Sequence, residues 1–175
     1  MTRRCFTQLL SIVLVGFTSL LSGAIQAQSP TLTVTGKATT ATYSLPTLLG
    51  RPDVRNVTVN DPIYRRTMTY RAVPMAVLMK ETKATIDDYV QARATDNFSV
   101  AIPERLLGVD AGTVEAFLAL EDPAAPWPPI PGKPDKASAG PFYIVWKLTP
   151  PATVSREYWA YRLAGLAITN SPMKR

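Results

Sequence analysis

The chain has 175 residues, a net charge of +6, one cysteine and no histidine. Structural zinc sites, attached haem groups, histidine-ligated copper or iron, and nucleophiles activated by histidine all need side chains that this composition does not supply. The basic residues are scattered along the chain, which excludes the clustered positive patch of a nucleic-acid or anionic-membrane binding protein.

The first segment of the chain has the three parts of a secretory signal peptide. Two arginines precede an apolar run over residues 9–21, and small residues then lead to Ala24 and Ala27. We predict cleavage after Ala27, with cleavage after Ala24 as the alternative. The apolar run is shorter than the ~20 residues of a spanning helix, so an uncleaved membrane anchor is the less favoured interpretation.

Cleavage at that point divides the chain into a signal peptide, residues 1–27, and a single domain, residues 28–175. The only cysteine, Cys5, is removed with the signal peptide. We expect a periplasmic product without a membrane span after cleavage, either monomeric or weakly associating.

Short apolar or alternating runs predict that most of the domain is β-strand. The predicted strands are residues 31–37, a short segment ending at Tyr43, then 55–59, 67–73, 87–96, 98–103, 115–122, 141–147 and 161–170. Strands outnumber helices. The pattern predicts an α+β domain with a mainly antiparallel, bent sheet and short helices over or beside it.

Four short helical segments interrupt the predicted strands. Ser44 is a suitable N-cap for the first, which should end at Gly50. Pro74 and Pro103 are expected in the first turns of the next two helices, where the missing proline N–H costs least. Ser155 should cap a last helical turn.

Carboxylates remain as ligands for a hard cation, but their spacing is unfavourable. Asp87 and Asp88 are sequence neighbours, as are Glu121 and Asp122. Neighbours in an extended segment point to opposite faces, so neither pair converges on one ion or one proton. We therefore predict no metal ligand and no catalytic residue.

The most unusual segment runs from Glu121 to Trp146 and reads EDPAAPWPPIPGKPDKASAGPFYIVW. Its flanking prolines restrict the backbone around Trp127, and burying an indole is worth ~4–6 kcal/mol. We expect Trp127 to pin this loop to its own sheet. The alternative is that Trp127, Pro128 and Pro129 anchor a partner. In the strand that follows, alternate residues face opposite sides, and at least one side should be core.

The order of LTVTG, SLPTLLGRPD, TVND, MTYRAVPMAVLM, YVQARATDNFSVAIP and GPFYIVW resembles the sulfite-oxidase-type molybdopterin-binding fold. The matching residues are Arg71-Ala72-Val73-Pro74 with Leu78, Asp96-Asn97-Phe98, and Gly140-Pro141. A closer resemblance is to a domain that precedes the haem domain in some exported bacterial c-type cytochromes. Its hallmark run, EDPAAPWPPLPGK…SAGPFYLVW, is similar to residues 121–146, and its EQWPYQL segment is loosely similar to residues 157–163.

The resemblance implies a fold associated with redox chemistry but without the usual metal anchors. Catalytic molybdenum enzymes of the family hold the metal through a cysteine thiolate, and the cytochromes carry a CxxCH motif. Residues 28–175 contain neither. We expect a noncatalytic domain, with no cofactor of its own, that docks on a c-type cytochrome or a periplasmic dehydrogenase. The alternative is an oxidoreductase that binds molybdopterin without the cysteine ligand.

The resemblance also implies where a residual cofactor pocket would be. In that family, positions comparable to Tyr70, Arg71, Asp96 and Asn97 border the cofactor. Two simpler interpretations stay open at these positions. Asp96-Asn97 has the chemistry of a plain turn, and Arg71 suits a surface salt bridge.

Overall fold

A computed structural model describes residues 28–108 and 112–171, so the predicted signal peptide lies outside the described residues. The described part forms nine strands, three short α-helices and one 3₁₀-helix. In chain order these are β1 (Thr31–Thr35), β2 (Thr40–Ser44), α1 (Leu45–Leu49), β3 (Arg55–Asp61), β4 (Arg66–Pro74), α2 (Met75–Thr82), β5 (Tyr89–Ala94), β6 (Ser99–Pro103), α3 (Glu104–Leu107), β7 (Val114–Leu120), β8 (Phe142–Leu148), the 3₁₀-helix (Arg156–Tyr158) and β9 (Leu163–Thr169).

The strands form two sheets. The five-stranded sheet has the order β2-β1-β9-β5-β6, and the four-stranded sheet has the order β3-β4-β7-β8. Every pairing within them is antiparallel except that between β1 and β9. The expected mainly antiparallel α+β class is therefore confirmed, whereas the specific sulfite-oxidase-like fold stays a prediction.

The short helices lie beside the four-stranded sheet. Helices α1 and α2 both contact β4 and β7, and α3 contacts β7. Helix α1 begins where the sequence predicts, since Ser44 Oγ accepts a hydrogen bond of 3.2 Å from the backbone N–H of Thr47. None of the described helices is long and apolar enough to cross a membrane.

Two predicted helix starts differ from the structure by one position. Pro74 and Pro103 precede α2 and α3 instead of occupying their first turns, with ψ angles of 128° and 130°. Both prolines still pair within a sheet, Pro74 with Phe117 and Pro103 with Tyr89. The extended backbone that completes these strand pairings therefore delays each helix by one residue.

Strand β8 is buried on both of its faces. Residues 142–146 are all at most 1% exposed, so both alternating sets belong to the core. The segment before β9 covers this strand: the N–H of Ile144 donates to the carbonyl of Ala160, and Trp146 Nε1 donates to the carbonyl of Tyr158. The edge of the four-stranded sheet is thereby partly closed.

Candidate functional site

A buried carboxylate, that of Asp61, lies at the end of β3. Its Oδ1 atom accepts hydrogen bonds of 2.7 and 2.8 Å from the backbone N–H groups of Ile63 and Tyr64. Its Oδ2 atom accepts bonds of 2.6 and 3.0 Å from the hydroxyls of Tyr70 and Tyr143. Four donors thus stabilise a side chain that is only 2% exposed.

The tyrosines around Asp61 are held in their protonated form. Burial raises the pKa of Tyr70 and of Tyr143 well above the usual range, and the hydrogen bonds to Asp61 add to the effect. Burial also raises the pKa of Tyr64 to about 12. At neutral pH these phenols are therefore donors or neutral acceptors rather than anions.

The indole of Trp127 packs on this network. Its ring is edge-on to Tyr70 at a centroid separation of 4.8 Å and 6.3 Å from the ring of Tyr143. Trp127 and Pro128 are half-buried, and Pro129 is exposed. The indole thus contacts its own domain, in the manner expected of an internal clamp, while the assignment of these three residues to partner binding stays a prediction.

A second carboxylate, that of Glu121, joins the two ends of the same loop. Its Oε1 accepts a 2.7 Å bond from the N–H of Trp127, and its Oε2 accepts a 2.8 Å bond from the hydroxyl of Ser138. A side chain at Gly140 would collide with this carboxylate. The backbone N–H of Glu121 also donates to the carbonyl of Pro141 at 3.0 Å. We call this arrangement the loop clip.

The loop forms one wall of a half-open cleft of about 460 Å³. The other walls come from the turn between β3 and β4, from the turn between β5 and β6, and from the 3₁₀-helix with the segment after it. Aromatic rings and charges of both signs lie side by side in it. The lining residues are Ile63, Asp96, Phe98, Lys133, Arg156, Glu157, Trp159 and Tyr161.

The loop residue in the cleft is Lys133. Its ammonium lies 5.6 Å from the centroid of the Tyr161 ring, a cation–π geometry, and its interaction with the Tyr161 hydroxyl raises the pKa of Lys133. Opposite, Phe98 is a large apolar side chain with 38% of its surface exposed. The cleft therefore places aromatic ring faces and a cation where one bound ligand can contact both.

Tyr143 connects the cleft with the clamp. Its ring centroid lies 6.3 Å from each of three neighbouring rings, those of Trp127, Trp159 and Tyr161. The first belongs to the loop and the other two line the cleft. Because these rings pack together, the position of the loop and the shape of the cleft depend on the same aromatic cluster.

The four residues predicted to border a cofactor are divided between different places. Asp96 lines the cleft, but its Oδ1 also accepts a bond of 3.2 Å from the N–H of Phe98, and Asn97 has a left-handed φ of 67°, as in a plain turn. Tyr70 is buried against Asp61. Arg71 is exposed, pairs with Asp122 at 2.8 Å and donates to the carbonyl of Leu49. The lining of the cleft includes neither Tyr70 nor Arg71.

Several residues at this site could not be predicted from the sequence. Asp61 lies in a turn-forming Asn60-Asp61-Pro62 run and Glu121 lies next to Asp122, and neither pattern indicates a side chain that accepts several hydrogen bonds. The only local signal was Gly140 before Pro141, which fits a close approach of backbone and side chain. Lys133, Arg156 and Trp159 meet only through tertiary packing.

Within the described residues, no group of three or more cysteine, histidine, aspartate or glutamate side chains is placed to hold a metal ion. No protein-family model matches the chain, and no curated protein is significantly similar to it. The family resemblance and the roles it implies therefore remain predictions from the sequence.

Proposed function

We propose that the chain is a noncatalytic docking module of a periplasmic electron-transfer system, binding a c-type cytochrome or a dehydrogenase. The observation that carries the docking role is a set of five exposed prolines along the loop, which we call the proline ridge. Its members are Pro123, Pro126, Pro129, Pro131 and Pro134.

The loop that carries the ridge is held to its own domain by several contacts. Trp127 holds it from beneath through Tyr70 and Tyr143, and Glu121 joins its ends. A partner that binds a preorganised surface immobilises few additional degrees of freedom, so more of the contact energy appears as affinity. Proline-rich segments are recognised in this way by aromatic-lined grooves.

Two features support a redox protein as the partner. The first is the resemblance of residues 121–146 to the segment that precedes a haem domain in exported cytochromes. The second is the net charge of +6, which falls by two when the predicted signal peptide and its two arginines are removed. A chain that stays positively charged favours an acidic partner. Complexes between electron-transfer proteins bury little surface and are short-lived. A contact limited to the proline ridge would give a complex of this kind.

The test is capture of a haem protein from a native periplasmic extract at low ionic strength. The bait is the mature chain, and bound proteins are stained for haem on a denaturing gel, because c-type haem stays covalently attached. We expect a haem band that weakens as salt is raised. The double variant Pro126→Glu, Pro129→Glu should lose it, since both new carboxylates would repel an acidic partner.

The matched control is the double variant Lys83→Gln, Ile86→Glu, which lowers the net charge by the same amount at two exposed positions. Ile86 lies beyond the opposite end of β5 from the cleft turn, and this variant should retain the haem band. Absence of a haem protein from the wild-type bait, or equal retention by the ridge variant, would contradict the proposal.

The cleft favours a second candidate, a noncovalently bound pterin cofactor. Phe98 and Tyr161 supply ring faces for a planar heterocycle, and Lys133 with Arg156 supplies cations for a phosphate. The cleft volume lies within the usual range for small ligands. The described residues contain no cysteine thiolate for molybdenum, so the fit concerns the organic part of the cofactor alone.

Elemental analysis separates the two candidates. Protein purified from its native periplasm is assayed for molybdenum by mass spectrometry, and its absorbance spectrum is recorded. Stoichiometric molybdenum would contradict the docking proposal and support the pterin. A colourless, molybdenum-free protein that still captures a haem protein would support docking.

A further inference from the structure

The solvent side of the five-stranded sheet carries a trough of about 380 Å³ that is separate from the cleft and the loop. It runs along β9, where Gly165 and Ala167 have small side chains. The residues used below are Thr33 and Thr35 on β1, Gln91 and Arg93 on β5, and the two small residues of β9.

The strand register places these residues in two rows. Ala167 pairs with Thr35 on one side and with Gln91 on the other. Gly165 pairs in the same way with Thr33 and Arg93. Directly paired residues project from the same face of a sheet, so β1 and β5 form two walls separated by twice the strand spacing, ~10 Å. The side chains of β1 and β5 that form the walls are polar, whereas β9 between them carries only the hydrogen of Gly165 and the methyl group of Ala167 at these positions.

Gln91 has an unmet hydrogen-bonding group in this trough. The side chain is only 6% exposed, its Nε2 donates to the hydroxyl of Ser99, and its Oε1 is buried without a partner among the described residues. If the amide were turned over, the amide nitrogen would be unpaired instead. Because the Oε1 atom is itself buried, a ligand hydroxyl would reach it only after the Gln91 amide turns toward the trough. An unsatisfied buried polar group costs free energy, so a ligand that supplies the missing bond favours this rotation.

Arg93 adds a charge to the same wall. Its side chain is exposed and forms no hydrogen bond or ion pair with the described residues. Its guanidinium is therefore free to form two parallel hydrogen bonds with a carboxylate. Across the trough, the hydroxyl of Thr33 has only a long contact of 3.5 Å with Thr42, so it can also bond a ligand.

We propose that this trough binds a small polyhydroxylated carboxylate of the sugar-acid class. The carboxylate would lie on Arg93, and the hydroxyls would bond Gln91 and the threonines of β1. Because Gly165 and Ala167 are small, the trough has room for a linear carbon chain lying along β9. The absence of aromatic rings among the lining residues makes a flat heterocyclic ligand unfavourable here.

The experiment is an NMR titration of the isotope-labelled mature chain with three probes. Gluconate carries both the carboxylate and the hydroxyls, sorbitol lacks the carboxylate, and acetate lacks the hydroxyls. We expect gluconate to shift resonances of β1, β5 and β9 with an affinity at least about tenfold above that of either other probe. Equal affinity for all three probes, or no shift on these strands, would overturn the proposal.

Three variants assign the contacts. Arg93→Gln should reduce the gluconate affinity about tenfold and abolish the preference over sorbitol. Ala167→Leu should fill the trough and abolish binding. Gln91→Met removes the amide at similar size and should weaken both gluconate and sorbitol, which keeps the test decisive if Ala167→Leu fails to fold. Arg105→Gln, an exposed arginine on α3, is the control and should bind gluconate like the wild type.

Discussion

Asp61 joins parts of the chain that are far apart in sequence. Its hydrogen bond with Tyr143 spans 82 residues, and that with Tyr70 spans nine. A buried carboxylate accepts bonds only from donors placed around it, so the position of β3 relative to β4 and to the core strand β8 is fixed by polar contacts as well as by apolar packing. Removing this one acceptor would leave several donors without a partner.

We predict that Asp61→Ala lowers the free energy of unfolding by about 3 kcal/mol. Two tyrosine hydroxyls and two backbone N–H groups would lose their acceptor in a buried site. Urea unfolding of the purified domain measures the change. Asp87→Ala, at an exposed carboxylate, is the control and should stay within about 0.5 kcal/mol of the wild type. Equal midpoints for the two variants would contradict this role of Asp61.

We predict that Trp127→Ala lowers the free energy of unfolding by about 2 kcal/mol, less than a fully buried indole would, because Trp127 is only half-buried. The loop should also become susceptible to trypsin at Lys136, whose following residue is Ala137; Lys133 precedes a proline and is resistant. Trp127→Phe keeps a ring against Tyr70 and should restore most of the protection. If the alanine variant resists trypsin as well as the wild type, Trp127 is not the clamp.

Individual elements could be predicted well from the sequence because their signals are local. Apolar runs located the strands, and Ser44 located the start of α1. The partners of each strand could not be predicted in the same way. The parallel pairing of β1 with β9 depends on contacts between the two ends of the domain, and it is this pairing that creates the trough. Helix α2 likewise begins one residue later than predicted because Pro74 still pairs with Phe117 of β7, which the local sequence does not reveal.

We predict that Ser44→Ala destabilises the protein by about 1 kcal/mol through the loss of the N-cap of α1. The cost should appear in global unfolding, because Leu45 and Leu48 of this short helix are buried in the core. Thermal or urea unfolding measures it. Ser44→Asp keeps an acceptor for the N–H of Thr47 and should lie close to the wild type. A full loss with aspartate as well would argue against capping.

The candidate site is a property of the whole molecule. Asp96 could be placed in a turn from the sequence, but the cleft also needs the loop that carries Lys133 and the 3₁₀-helix that carries Arg156. These segments meet through the aromatic cluster around Tyr143. No pattern in the sequence relates residues 96, 133 and 156, because their proximity results from the packing of the two sheets and the long loop.

We predict that the domain loses stability as the pH rises above about 10. Tyr64, Tyr70 and Tyr143 have raised pKa values when folded, whereas their ordinary value is 10.0. Above pH 10 the unfolded chain therefore binds fewer protons than the folded one, and the free energy of unfolding falls with pH. The contribution is complete below pH 10, and for Tyr64 it is lost as the pH approaches about 12.

Urea midpoints measured from about pH 9 to about pH 12, with phenolate absorbance recorded in parallel, check this pH dependence. Tyr64→Phe should make the decline shallower, since one of the three groups no longer ionises. A midpoint that is constant across this range would contradict the shifted pKa values.

Because the loop clip closes the loop at its base, a change in the length of the loop should have little effect on the stability of the fold. Glu121, Ser138 and Pro141 close the loop at its base, whereas Gly132 near the tip has no atom within 4 Å of the place of a Cβ. Lengthening a closed loop costs only about 0.6 kcal/mol for each doubling. The tip at Gly132 is therefore a natural insertion point, where a peptide tag or a second domain can be grafted, or new chain ends created by circular permutation, while the base stays joined.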